Sequence, residues 1–355
     1  MPDRIYLDHA ATTPLRPEAQ CAMELGFAHW ANPSSPHAEG RKARALLEDA
    51  RERVKAALGW QGEVIFTSGA SEALAIGLQR ARPSRQIISP IEHDAVGRAA
   101  PGAEILKLGA VPHIDPDYLS DVLSKGSEAV VAIQAVNSET GVIQPMFDYH
   151  PITQTHGSLL LCDCSQNAGK HDMPDCDMAV VSAHKLGGPI GIGALLVKDF
   201  AMLEPSGGHE RGYRQGTENL PGALGFAAAL EASSPNYLED DEGVGDALID
   251  LADEVWNSGG AIVDGNGMTS MFIRAIAMPD MSATAQVMRF DMAGIAVSQG
   301  SACSSGTMKT SRVLEAMQVE PEVAANTIRV SLGWNTTRAE VERFCEVWLD
   351  LARPR

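Results

Sequence analysis

The sequence predicts an α/β protein with a mostly parallel central sheet in a large domain and a smaller α+β domain. Short runs rich in Val, Ile and Leu alternate with helical patterns through the first two-thirds of the chain. Strands that are apolar on both faces are typical of parallel sheets covered by helices. Near residue 236 the pattern changes, and an acidic helical stretch begins. The length of 355 residues fits two domains.

The elements of the large domain follow one another as strand and helix, and a helix over 71–80 follows the first apolar strand. The predicted strands cover 64–67, 86–89, 130–133, 158–162, 179–181 and 194–197. Polar motifs stand directly after most of these strands. Because ligands bind beyond the carboxyl ends of the strands in such sheets, we expect the functional site there.

The remainder of the chain has the pattern of a smaller α+β domain. Predicted helices cover 240–256, 282–293 and 338–351, and predicted strands cover 271–274 and 328–331. We therefore expect a large domain over 13–235, and a small domain formed by 1–12 together with 236–355.

Composition limits the class of protein. The formal net charge is -18, and a strongly acidic surface repels phosphate backbones, so nucleic acid is not an expected partner. No apolar run approaches the roughly 18 residues of a membrane span. The first residues lack the basic and apolar regions of a secretory signal, so we expect a cytoplasmic protein without a membrane partner.

The six cysteines do not indicate a disulfide scaffold in a chain of this length. Cys162, Cys164 and Cys176 form a cluster in the sequence that raises the question of a metal. Their spacing matches neither the paired cysteines nor the histidine spacing of common zinc sites, so we expect no metal.

Lys185 is the first candidate for chemistry. It follows a buried strand and precedes Gly187-Gly188-Pro189. A nucleophilic lysine must be desolvated to lose its proton near neutral pH, and the end of an apolar strand provides that environment. Nearby glycines let the backbone pass close to a flat cofactor. The alternative is a solvated surface lysine.

Two further groups after strands fit a cofactor with a cationic ring and a phosphate. Asp163 ends an apolar strand, where a carboxylate requires a cationic partner such as a pyridinium nitrogen; a helix N-cap is the alternative. The small-residue turn 67–72 opens a helix and points backbone N–H groups at an anion. His93 can stack on a ring or move protons, although a structural role is also open.

Two residues fit a substrate. Cys303 lies within the small residues of 300–306, a setting expected for an exposed, reactive thiol rather than a buried one. Arg329 lies in an apolar strand and would form a bidentate clamp for a carboxylate. The alternative for Arg329 is an exposed face of the strand.

Taken together, these residues resemble the cysteine desulfurases of the class V aminotransferase superfamily, which are pyridoxal-phosphate enzymes of fold type I. The similarity extends nearly end to end, and GSAC at 300–303 resembles the housekeeping and nitrogenase-linked subgroup. The matching segments are YLDHAATTP (6–14), NPSS (32–35), FTSGA (66–70), EH (92–93), Asp163, Gln166, SAHK (182–185), GGHERG (207–212), RQGT (214–217), GSAC (300–303) and RVSLG (329–333).

The resemblance implies a role for each cofactor-binding residue. Lys185 would bind pyridoxal 5'-phosphate covalently and shuttle protons, while His93 would stack on its ring. Asp163 would hold the ring nitrogen and Gln166 the phenolic oxygen. The implied phosphate-binding set comprises Ala70, Ser71, Ser182 and His184, with Thr217 contributed by the other subunit of a homodimer.

The resemblance also implies the substrate residues and the reaction. Arg329, helped by Asn32, would clamp the carboxylate of L-cysteine. Cys303 would attack the substrate sulfur, leaving L-alanine and a persulfide on Cys303. The sulfur would pass to an acceptor or an iron–sulfur scaffold protein.

One departure concerns the cofactor. Where the family usually has two asparagines, this chain has Asn137-Ser138, so a shorter hydroxyl replaces the amide that contacts the cofactor oxygen. Three other functions stay open from the sequence. They are a class V aminotransferase or lyase that does not use the thiol, a serine acyl-enzyme hydrolase based on Ser182-x-x-Lys185, and a cofactor-fold protein that serves as a binding subunit.

Overall fold

The fold was analysed in a computed structural model of the chain. The structure describes residues 4–233, 237–238, 243–300 and 311–353. The strands within these ranges are β1 (Ile5–Tyr6), β2 (Glu63–Thr67), β3 (Arg85–Ile88), β4 (Glu104–Ile105), β5 (Ala129–Gln134), β6 (Leu159–Asp163), β7 (Met178–Ser182), β8 (Gly193–Val197), β9 (Ala261–Ile262), β10 (Ile273–Ala277), β11 (Ile295–Ala296) and β12 (Thr327–Ser331).

Helices cover both faces of the main sheet and build much of the remainder of the fold. They are α1 (Pro17–Ala28), α2 (Ala38–Leu58), α3 (Ala70–Gln79), α4 (Asp94–Ala99), α5 (Pro116–Ser124), α6 (Met146–Thr155), α7 (Leu220–Ser233), α8 (Val244–Asn257), α9 (Ala283–Met292), α10 (Arg312–Ala316), α11 (Pro321–Ala325) and α12 (Arg338–Ala352). No helix in the described part of the chain is long and apolar enough to span a membrane.

The main sheet has seven strands in the order β2-β8-β7-β6-β5-β3-β4. All pairings from β7 to β4 are parallel, whereas β8 is antiparallel to both of its neighbours. The prediction of a mostly parallel sheet is therefore confirmed. Strands β5, β6, β7 and β8 are almost entirely buried, as their continuous apolar sequences predict.

The later part of the chain forms a smaller antiparallel sheet in the order β12-β10-β9, and β1 pairs in parallel with β11. Asp8 forms an isolated parallel bridge with Ser331, so the N-terminal segment reaches across to the small sheet. This pairing agrees with the expectation that residues 1–12 join the small domain. The domain boundaries themselves stay a prediction.

Two glycines allow the tight packing at the carboxyl edge of the main sheet. Gly69 precedes α3 with a φ of 149°, a backbone conformation that residues with a Cβ atom rarely adopt. Gly193 begins β8, and a Cβ atom there would lie 2.6 Å from the carbonyl oxygen of Val181 and 2.8 Å from the Cα atom of Gly69. Strand β8 and the start of α3 can therefore approach each other closely.

Candidate active site

A cavity of about 870 Å³ opens at the carboxyl edge of the main sheet. It collects residues that follow strands β2, β3, β5, β6 and β7, together with one arginine from β12. The predicted site residues among its lining are Ala70, Ser71, His93, Ser138, Asp163, Gln166, Ser182, His184, Lys185 and Arg329. The fold thus brings together most of the side chains that the sequence singled out.

Lys185 lies in a short 3-10 turn directly after β7. Its Nζ atom donates hydrogen bonds to the carbonyl oxygens of Ala10 (2.6 Å) and Ala11 (2.7 Å). Burial, and next the positive charge of Arg329, lower the pKa of Lys185 to about 8. An amine with this pKa is a competent nucleophile at neutral pH, because an appreciable fraction of it is unprotonated.

Asp163 is the last residue of β6 and is 8% exposed. Its Oδ1 atom accepts the backbone N–H of Ser165 at 2.9 Å. Beside it lies Glu92, whose Oε1 atom accepts the backbone N–H of Gln134 at 2.8 Å. Burial, aided by the charge of Asp163, raises the pKa of Glu92 well above its usual range. Its protonated form is therefore favoured in this buried position.

His93 precedes α4 and its Nδ1 atom accepts the backbone N–H of Ala95 at 3.1 Å. Burial lowers the pKa of His93, and the charge of Lys185 acts in the same direction against the opposing effect of Asp163. The imidazole is therefore neutral near pH 7 with Nδ1 unprotonated, which leaves its Nε2–H free to donate.

The other end of the cavity is lined by small and hydroxylated residues. Ala70 and Ser71 occupy the first turn of α3, where backbone N–H groups point outward. His184 faces this region and its Nδ1 atom lies 3.2 Å from the Oγ1 atom of Thr12. Burial, with the charge of Lys185, lowers the pKa of His184 to about 4, so it acts as a neutral donor or acceptor. This arrangement suits a phosphate group.

Several buried polar atoms of the lining have no hydrogen-bond partner among the described residues. These atoms are Glu92 Oε2, Ser165 Oγ, Gln166 Oε1 and Arg329 Nε. A buried polar atom without a partner is costly, so this set indicates that a polar ligand completes the site. A flat ring with a cationic nitrogen, a hydroxyl oxygen and a phosphate fits the donors and acceptors that surround Lys185.

Arg329 reaches the cavity from β12 and is 4% exposed. Its Nη1 atom donates to the carbonyl oxygen of Ser138 at 2.9 Å, and its Nη2 atom donates to Oδ1 of Asp8 at 2.7 Å. The alternative of an exposed strand face is therefore wrong, because the side chain is buried and turned into the site. Ser138 contributes its carbonyl group to the arginine and also lines the cavity.

Two predicted residues lie away from this cavity. Asn32 and Thr217 are exposed, and neither lines it. Arg214, three residues before Thr217, does contact the lining, because its Nε atom donates at 3.2 Å to Glu72 in the first turn of α3. The roles assigned to Asn32 and Thr217 stay predictions, and the role of Thr217 requires a second subunit.

Cys303 lies outside the described residues. The described residues on either side of the segment that contains it are Gly300 and Ser311, and Gly300 and Arg312 line the cavity. Next to Arg312, the hydroxyl group of Ser311 donates to Oε2 of Glu139 at 2.6 Å. The chain therefore leaves and re-enters the described structure at the edge of the candidate site.

The remaining cysteine cluster lies in the core. Cys162, Cys164 and Cys176 are fully buried, and the Sγ atoms of Cys162 and Cys164 are 3.5 Å apart. Burial raises the pKa of Cys162, which opposes thiolate formation. Among the described residues, no group of three His, Cys, Asp or Glu side chains is arranged to hold a metal ion.

Sequence reasoning missed three acidic residues of the site, which are Asp8, Glu92 and Glu139. Each stands inside or beside a segment that had been singled out for another residue. Asp8 belongs to 6–14, Glu92 precedes His93, and Glu139 follows Ser138. An acid adjacent to a predicted ligand was the available signal, but its burial depends on contacts that the local sequence does not specify.

Comparisons with known proteins place the chain in a family. Residues 5–344 match the aminotransferase class-V family. A cysteine desulfurase of Cereibacter sphaeroides is 35% identical in an alignment that covers 97% of this chain and 95% of that protein. The chain therefore belongs to the class-V aminotransferases, and the cysteine desulfurases are its relatives within them.

Solved structures show the same architecture. The X-ray structure of a NifS-like protein from Rickettsia africae has a TM-score of 0.87 and 28% identity, covering 98% of this chain and 99% of that one. SspA in complex with cysteine has a TM-score of 0.76 and 27% identity, covering 94% of this chain and 100% of that one. The fold is the α/β fold of fold-type I enzymes.

Proposed function

We propose that the protein is a cysteine desulfurase that uses pyridoxal 5'-phosphate to convert L-cysteine to L-alanine and transfers the sulfur to Cys303. The observation that carries the proposal is the buried amine of Lys185, with its pKa lowered to about 8, in one cavity with Asp163, His93 and Arg329. The similarity to a cysteine desulfurase over 97% of the chain supports the same activity.

The cofactor fits the residues around the cavity. When bound, pyridoxal phosphate supplies an aldehyde that condenses with amines and a protonated ring that accepts electrons. Asp163 would hold the ring nitrogen in its protonated form, and Gln166, whose Oε1 atom has no partner among the described residues, would lie at the phenolic oxygen. Ser182 and His184 would bind the phosphate together with Ala70 and Ser71.

Lys185, His93 and Glu92 would have different roles in binding the cofactor and transferring protons. Lys185 would attach the cofactor through its neutral amine and afterwards move protons at the substrate. His93 would stack on the ring, and its neutral imidazole would donate or accept one proton. Glu92 is buried and its pKa is raised, so its protonated form would be favoured, and Asp163 would be the carboxyl group that holds the ring nitrogen.

The substrate would be held by its carboxylate. Arg329 is the buried arginine of the cavity, and guanidinium groups bind carboxylates in a bidentate geometry. Asn32 would help Arg329 to bind the carboxylate, although Asn32 does not line the cavity of the single chain. SspA, which has the same architecture, was solved in complex with cysteine, and this supports cysteine as the substrate proposed for this chain.

Sulfur transfer would be carried out by Cys303. Its thiolate would attack the substrate sulfur, the carbon–sulfur bond would break, and L-alanine and a Cys303 persulfide would result. Cys303 belongs to the chain between Gly300 and Arg312, two residues that line the cavity, and this supports Cys303 as the sulfur acceptor.

The proposal also includes a homodimer and an acceptor for the sulfur. A homodimer would bring Thr217 of the partner subunit to the phosphate, and the exposure of Thr217 in the single chain is consistent with this role. The persulfide would pass to a sulfur-acceptor or iron–sulfur scaffold protein. The division into domains and the cytoplasmic location stay as predicted from the sequence.

The proposal is tested by adding L-cysteine to the cofactor-loaded protein and measuring alanine and sulfide together. We expect equimolar alanine and sulfide in the presence of a reductant, and loss of both in Lys185→Ala. Cys303→Ala should keep the yellow colour of the bound cofactor while losing sulfide release. Full sulfide release by Cys303→Ala would instead favour a class V lyase that does not use the thiol.

A further inference from the structure

The substrate arginine already has a carboxylate bound to it. Asp8 contacts Nη2 of Arg329 at 2.7 Å through Oδ1, across 321 positions of the sequence. The arginine side chain is 5% exposed, whereas the aspartate side chain is 23% exposed. An aspartate carboxylate is chemically the same group as the carboxylate of an amino-acid substrate, so Asp8 occupies the position of a ligand.

The turn that carries Asp8 is firmly held. The carbonyl oxygen of Asp8 accepts the backbone N–H of Ala11 at 3.0 Å and the hydroxyl of Tyr6 at 3.2 Å. The next carbonyls of the same turn, those of Ala10 and Ala11, accept the hydrogen bonds of Lys185. One short turn therefore contacts both Arg329 and Lys185.

The pairing between Asp8 and Arg329 is only partly made. Asp8 uses one oxygen on Nη2, and the neighbouring Nε atom is buried without a partner among the described residues. Nε and Nη2 donate side by side from the same edge of the guanidinium group, which is one of its two bidentate faces. A substrate carboxylate on this face would satisfy both atoms and would take the place of Asp8.

We propose that Asp8 is a positioning residue that holds Arg329 in the cavity and is exchanged for the substrate carboxylate when an amino acid binds. This inference rests on the proposed function and adds a determinant of affinity to it. Asp8 weakens amino-acid binding for two reasons. The substrate carboxylate must displace the carboxylate of Asp8 from Arg329, and the two negative groups then lie close together. The charge of Arg329 also acts on Glu139, but Oε2 of Glu139 accepts the hydroxyl of Ser311, whereas Asp8 contacts the guanidinium group directly.

The test compares Asp8→Asn with the wild-type protein, both loaded with cofactor. Asparagine keeps the size and an acceptor oxygen but removes the charge. The dissociation constant of L-alanine is measured from the absorption change of the bound cofactor, so turnover is not needed. We expect binding to become about two- to fivefold tighter, the change that the loss of one partly exposed charge contact can produce. The KM for L-cysteine should fall by a similar factor, with kcat little changed.

Two controls separate this role from a structural one. Asp291→Asn removes the charge of the exposed pair between Asp291 and Arg4, and the affinity for L-alanine should not change. In an Arg329→Gln background, the effect of Asp8→Asn should disappear, because the guanidinium group for which Asp8 and the substrate carboxylate compete is then missing. Melting temperatures establish that each variant is folded, and Asp8→Ser is a second variant without the charge.

Weaker or unchanged binding of L-alanine by folded Asp8→Asn would overturn the inference, as would an effect of equal size in the Arg329→Gln background. Tighter binding that depends on Arg329 would support it. Failure of the proposed function gives a different result. In that case the wild-type protein itself would release no alanine and no sulfide from L-cysteine.

Discussion

The lowered pKa of Lys185 makes a quantitative prediction about cofactor attachment. Only the neutral amine can condense with an aldehyde. With a pKa of about 8 instead of 10.5, roughly one amine in ten is neutral at pH 7, against roughly one in three thousand for an ordinary lysine. Attachment at neutral pH should therefore be about 300-fold faster than for a solvated lysine of equal access.

The perturbation that tests the cause is Arg329→Gln. After burial, the charge of Arg329 is the largest influence that lowers the pKa of Lys185, so its removal should raise that pKa. The rate of cofactor attachment is measured by stopped-flow absorption after mixing cofactor-free protein with pyridoxal phosphate over a range of pH. The half-maximal rate should lie near pH 8 for the wild-type protein and at higher pH for Arg329→Gln.

A matched control uses the other arginine that lines the cavity. Arg312 donates to the carbonyl oxygen of Glu92 at 2.7 Å and is not among the groups that shift Lys185. Arg312→Gln should leave the midpoint unchanged. A wild-type midpoint near pH 10, or equal shifts in both variants, would refute the electrostatic explanation.

Two predictions concern buried ionisable groups, one pair away from the candidate site and one residue within it. Arg51→Ala leaves Glu210 buried and unpaired, since their side chains are 2% and 1% exposed and 2.8 Å apart. The free energy of unfolding, measured in urea, should fall by about 3–5 kcal/mol. The control Arg343→Ala breaks an exposed pair with Glu346 and should lower it by under about 1 kcal/mol. Equal losses in the two variants would contradict this prediction. The folded state holds the proton of Glu92 at pH values where the unfolded state, with a pKa of 4.5, has lost it. Wild-type stability should therefore fall relative to Glu92→Gln as the pH rises above 4.5, and a difference that is independent of pH would show that Glu92 is ionised.

Much of the main sheet could be predicted because its strands are buried on both faces. The predicted strand 158–162 corresponds to β6, Leu159–Asp163, and the polar residue that ends it is the one assigned to the ring nitrogen. The antiparallel direction of β8 could not be predicted, since an apolar run does not encode direction. The strand expected at 271–274 begins instead at Ile273 and continues through Ala277, where pairing with β12 outweighs the weak strand preference of alanine.

The site was predictable where a residue type has few alternative roles. A lysine followed by glycines after a buried strand indicated Lys185 without any knowledge of its contacts. The contact of Asp8 with Arg329 joins residues at opposite ends of the chain, and local patterns carry no information about such pairs. Asn32 and Thr217 are exposed in the single chain and do not line the cavity, so their roles stay predictions from the resemblance.

The central claim is that sulfur from L-cysteine comes to rest on one thiol of this chain. The most direct measurement is mass spectrometry of the cofactor-loaded protein after one equivalent of L-cysteine without reductant, followed by peptide mapping. The account predicts one added sulfur atom on the peptide that contains Cys303, one equivalent of alanine, and neither product in Lys185→Ala. Alanine without added sulfur on Cys303, or sulfur on another cysteine, would contradict it.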